Sequence, residues 1–106
     1  MIPPGPEAPT PDGRAKAARA LEAARDAMTR GETALAIDTL RAFDLEGNDP
    51  EVSFTLGVWT MSTGDSRVAL AHFQKAARQA PTVVEIFINL AAAASRLSRH
   101  AEAIEA

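Results

Sequence analysis

The chain has 106 residues, with no cysteine, no tyrosine, a single tryptophan, four phenylalanines and two lysines. The missing cysteines exclude disulfides, thiolate metal sites and cysteine nucleophiles, and leave the redox compartment unreadable. Few aromatics means few large core contacts. Alanine makes up much of the hydrophobic share of 46%, and it favours helix and close packing while contributing little apolar area. The net charge of −3 offers no basic face of the kind nucleic acid requires. No positively charged start followed by an apolar run marks a secretory signal. The longest apolar stretch, Val83 to Ala94, is too short to cross a bilayer and contains Glu85 and Asn89. The expectation is a soluble, cytoplasmic protein of one domain, with neither nucleic acid nor membrane as a partner.

No stretch alternates with a period of two for long enough to make a strand, so the class is all-α. Residues 1–12 read as a disordered proline-rich tail, followed by a helical domain over 13–106. Thr10-Pro11-Asp12 has the residues of a helix start: a capping threonine, a proline for the first turn and an acid at the positive dipole end. That helix runs to Arg30, and Gly31 ends it. A second spans about Glu32 to Phe43, with Leu35, Ala36, Ile37, Leu40 and Phe43 on its apolar stripe and Asp38 and Arg41 in solvent. The polar segment Asp44 to Asp49 is a loop. Asp49-Pro50-Glu51 repeats the cap, proline, acid pattern and opens a third helix, which Gly64 terminates after Ser62. The fourth helix, about Asp65 to Gln79, places Val68, Ala69, Leu70, Phe73, Ala76 and Ala77 inward. Pro81 breaks the chain, and Thr82 with Glu85 has the spacing of a capping box before a fifth helix to Leu97. A sixth helix is expected from His100.

Displacing the chain on itself by about 34 residues aligns these helix pairs. Glu51 falls on Glu85, Leu56 on Leu90, Gly64 on Ser98, Ala69 on Ala103 and Leu70 on Ile104. In the other direction, Gly64 falls on Gly31, Val68 on Leu35, Ala69 on Ala36 and Phe73 on Leu40. The units are about 15–48, 50–81 and 82–106. A two-helix unit of this length resembles the tetratricopeptide repeat. The middle unit carries most of the likeness, with Leu56-Gly57, Gly64, Ala69, Phe73, Ala76 and Pro81 at the family's Leu-Gly, turn, alanine, aromatic, alanine and proline positions. Ser53 departs from the pattern where the family has an aromatic, as does Trp59-Thr60 where it has a small residue and tyrosine. Trp59 is read as supplying volume that Thr60 lacks. The implied architecture is an antiparallel helix-hairpin solenoid of about two full repeats and a truncated third.

Catalytic constellations are not visible. His72 reads as a boundary residue and His100 as a packing substitute at a turn, and the two share no metal-ligand spacing. Acidic pairs such as Glu22 with Asp26 are neighbours on a solvated helix face. Neither cofactor nor metal is expected, and the chain is read as no enzyme.

The resemblance implies a concave groove lined by the first helix of each hairpin. By register it would present Leu21, Arg25 and Met28, then Phe54, Thr55, Val58 and Met61, then Ile88, Asn89 and Ala92. A clamp for a peptide carboxylate is not implied, because only Arg25 and Asn89 of its positions suit and Glu85 repels. An apolar-centred groove suits an amphipathic helix or an extended peptide with bulky anchors. The expected function is therefore a non-catalytic interaction scaffold with a protein or peptide partner. The alternative is an N-terminal accessory module of a larger enzyme, such as a hydroxylase or transferase, whose catalytic domain lies beyond residue 106. Since the chain stops inside the third hairpin, it is read as a fragment, or as self-associating through that incomplete repeat.

Overall fold

The computed structural model describes residues 11–105, so the expected tail, apart from Pro11 and Asp12, and the Thr10 cap lie outside the described residues. Among the described residues there are five helices and no strand: α1 (Pro11–Thr29), α2 (Thr33–Glu46), α3 (Pro50–Ser62), α4 (Ser66–Gln79) and α5 (Val84–Glu105). Pro11 and Asp12 belong to α1 rather than to the tail. No helix among the described residues is long and apolar enough to cross a membrane.

The turns after α1 and α3 are built alike. Gly31 and Gly64 have φ of +78° and +93°, the left-handed region that glycine enters at least cost. The Gly31 N–H donates to the Met28 carbonyl at 3.0 Å and that of Glu32 to Ala27 at 2.9 Å. In the second turn, Gly64 donates to Met61 at 3.0 Å and Asp65 to Thr60 at 3.1 Å. These are paired Schellman bonds, which satisfy the last carbonyls of each helix and reverse the chain. The starts of α3 and α4 are fixed by carboxylates. Asp49 Oδ1 accepts from the N–H groups of Glu51 and Val52 at 2.9 and 3.3 Å, and Asp65 Oδ1 accepts from Val68 at 3.1 Å.

Two core clusters meet at α3. Ala17, Leu21, Ala24 and Ala27 of α1 pack with Ala36 and Leu40 of α2 and with Val52 and Leu56 of α3. Ala69 and Phe73 of α4 pack with Ala93 of α5, flanked by Phe54 and Met61 of α3 and by Leu90. Gly57 faces the Phe73 ring so closely that a Cβ there would fall 2.4 Å from Cε1. The antiparallel course of α3 and α4 is marked by that contact and by Ser53, near the start of α3, lying 3.2 Å from Gln79 at the end of α4.

Several expectations change. Helix α5 runs unbroken to Glu105, so the turn near His100 and the sixth helix are absent from the described residues. Ser98 stands in register with Gly64 but is not glycine, so a left-handed turn there is costly while helix is not. Leu35, expected inside, is 50% exposed, because Ala36 and Leu40 take the face toward α1. Val68 is likewise on the surface. Helix α5 starts at Val84, which leaves Thr82 too far upstream to cap it.

Candidate functional site

A cleft of about 510 Å³ lies between α1 and α3. Arg25, Met28 and Thr29, three and four residues apart on α1, form one wall. Phe54, Thr55, Val58 and Trp59, again one face of a helix, form the other. Met28 and Trp59 also pack on the α1–α2–α3 core, and Phe54 on the α4–α5 core. The Phe54 ring is tilted 50° against Phe73 with centroids 5.7 Å apart. Met28, Trp59 and Phe54 are thus held in place by the interior.

Ion pairs tie α1 to the start of α3. Arg14 Nη1 lies 2.6 Å from Oδ2 of buried Asp49, and its Nη2 lies 2.9 Å from Glu51 Oε2. Arg25 Nη2 reaches Glu51 Oε1 at 3.2 Å. The hydrogen bond to Asp49, with that to Glu51, raises the Arg14 pKa. The Arg14 hydrogen bond holds the Glu51 carboxyl below the usual carboxylate range, against an opposing effect of burial. Arg25 remains more than half exposed and keeps donors for another group.

A smaller apolar cleft of about 230 Å³ lies on the other side of Phe54, between Pro50, Ala80, Val83 and Ile86. Phe54 is the shared wall of the two.

Of the expected groove residues, the structure brings together Arg25, Met28, Phe54, Thr55 and Val58. Leu21 is 2% exposed and belongs to the core. Met61 is half-buried against the α4–α5 cluster. Ile88, Asn89 and Ala92 line neither cleft, and the Asn89 amide donates to the Glu85 carbonyl one turn back at 2.9 Å. Thr29 and Trp59 complete the α1–α3 cleft and were not singled out for it by the repeat register. Trp59 packs toward α1, while the buried Thr60 hydroxyl donates to the Leu56 carbonyl at 2.8 Å.

Ser53 is the centre of a polar junction. Its buried hydroxyl lies 3.0 Å from Asp44 Oδ1, 3.2 Å from Gln79 Oε1 and 3.3 Å from the Asp49 carbonyl. Lys75 Nζ donates to both the carbonyl and Oδ1 of Asp44 at 3.0 Å, and Gln79 donates to Asn48. His72 Nδ1 is 3.8 Å from Asp44 Oδ2. Burial lowers its pKa, with Asp44 opposing and Lys75 and Arg41 reinforcing. Among the described residues the Ser53 hydroxyl faces these acceptors and not His72. Among the described residues, no group of three His, Cys, Asp or Glu side chains is placed to hold a metal ion.

The fold and the cleft define an all-helical, repeat-like chain with an open apolar groove between two of its helices. No protein-family model and no curated protein matches the sequence.

Proposed function

We propose that this chain is a non-catalytic protein-interaction scaffold of tetratricopeptide-like build. Its ligand is an amphipathic helix or an extended peptide with bulky apolar anchors, seated between α1 and α3. The observation that carries this reading is the composition of the cleft: Met28, Phe54, Val58 and Trp59 form apolar walls, with Arg25 exposed beside them. Apolar walls with a few orienting polar groups are what peptide grooves require. The twice-used glycine turn, at Gly31 and Gly64, supports the repeat reading.

Panning a library of helical and extended peptides against the whole chain tests it. Selected peptides are expected to carry bulky residues at helical or alternate spacing. Their affinity is expected to fall at least about tenfold with Val58→Arg, which places a charge on the apolar wall. Binding that is indifferent to Val58→Arg and Arg25→Glu would remove the cleft as the binding site.

A further inference from the structure

Helix α5 carries an apolar face that nothing else among the described residues covers. Val84 is 69% exposed, Ile88 63% and Phe87 44%, and Ala91, Ala94, Ser95 and Ser98 are exposed beyond them. At 3.6 residues per turn these positions share the side opposite Ile86 and Ala93, the buried residues that anchor α5 to the body.

Two gradients run along this face. Bulk is concentrated at its start, in Val84, Phe87 and Ile88, while Ala91, Ala94, Ser95 and Ser98 continue it with small side chains. Charge follows the same direction. Glu85 stands in the first turn, and Arg96 and Arg99 stand three to four turns further on along the same edge of the helix. None of the three forms an ion pair among the described residues. At the arginine end, Arg67 joins them around a cleft of about 580 Å³ beside the Gly64 turn, so positive charge accumulates there with Asp65 as the carboxylate in the lining.

We propose that a second copy of this chain covers the face, with α5 packed antiparallel on α5 of the other copy about a two-fold axis near Ala91. Such an axis sets Phe87 and Ile88 of each copy over Ala94 and Ser95 of the other, bulk into the hollow left by small side chains. It sets Val84 near Ser98 and brings Glu85 beside Arg96 and close to Arg99. Direction is decided by the edges. An antiparallel pair brings the same edge of both helices together, whereas a parallel pair would set the charged edge against Phe87 and Ala94. A face that complements itself under a two-fold rotation is what an isologous dimer requires. The contact is one helix wide and about four turns long. That is at or below the roughly 1,200 Å² of smaller stable interfaces, so the dimer is weak and concentration-dependent.

Sedimentation equilibrium of the whole chain, over concentrations on the order of micromolar to millimolar, tests the proposal. A monomer–dimer equilibrium is expected, abolished by Ile88→Glu with helix content unchanged. Glu85→Arg and Arg96→Glu are each expected to weaken association about tenfold, because two symmetric pairs turn repulsive at once. The double variant should recover it. The absence of cysteine makes a further readout clean: Ala91→Cys should cross-link the two copies under mild oxidation, and the added Ile88→Glu should prevent it. A chain that stays monomeric to millimolar concentration overturns the proposal and leaves the face to a partner of another kind. A dimer indifferent to Ile88→Glu overturns it, and so does failure of the double charge reversal to recover association.

Discussion

A Cβ atom on Gly57 would sit 2.4 Å from the Phe73 ring, and the ring is fully buried among α3, α4 and α5. Gly57→Ala should therefore cost about 1–3 kcal/mol through overpacking. Gly64→Ala is a different perturbation. Its Cβ meets nothing within 4 Å, so only the positive φ matters, at about 1 kcal/mol. Urea denaturation of both variants checks the order, and a Gly57→Ala chain more stable than Gly64→Ala would refute the close-approach argument. Gly57 was legible in the sequence because a glycine inside a helix has few reasons to exist except proximity. Ser53 was visible only as a departure from a pattern. Its partners Asp44 and Gln79 come from other helices, and no local signal announces that a hydroxyl will meet them. Trp59 was unreadable for a similar reason, since its place depends on how α1 lies against α3.

At the scale of helices, the ends were legible wherever a single residue dictates backbone geometry. Gly31 and Gly64 supply the positive φ, and Asp49-Pro50 supplies both a side-chain acceptor and a ring suited to the first turn. Helix α5 departs from the repeat register, which places a turn at Ser98 that serine does not favour. Restoring the glycine should restore part of the turn. Ser98→Gly is expected to weaken the helix by about 0.5 kcal/mol at that position, with residues beyond it losing helical Cα shifts by NMR. Shifts unchanged through residue 105 would show that tertiary packing, rather than the absence of glycine, keeps α5 continuous.

Across the whole molecule, the two hairpins are joined by α3 packing on both clusters and by the polar junction around Asp44, which links the end of α2 to Ser53, His72 and Lys75. That junction and the ion pairs between α1 and α3 make stability depend on pH. Burial lowers the His72 pKa in the folded state, and the Arg14 hydrogen bond lowers that of Glu51. Both groups bind protons more readily in the unfolded chain. Their contributions are present above the unfolded pKa and are lost as pH falls through the folded one. His72 acts first, as pH drops below the ordinary imidazole value of 6.5. Glu51 follows below 4.5, with a small effect because its ion pairs are solvent-accessible. Thermal unfolding followed from neutral pH into acid should show a falling midpoint. His72→Gln should flatten the first part of the fall and leave the second. A midpoint that is level until carboxylates titrate would exclude a role for His72.

The position of Trp59 has an optical consequence. With no tyrosine and no second tryptophan in the chain, ultraviolet emission comes almost entirely from one indole, set in the α1–α3 cleft and packed on the first core cluster. The molecule thus carries an intrinsic fluorophore that reports on one half of itself. Unfolding followed by emission tracks the α1–α2–α3 cluster, while far-ultraviolet circular dichroism averages over every helix. Coincident curves mean that Phe73 and its neighbours melt together with Leu56. Separated curves mean that the α4–α5 cluster comes apart on its own.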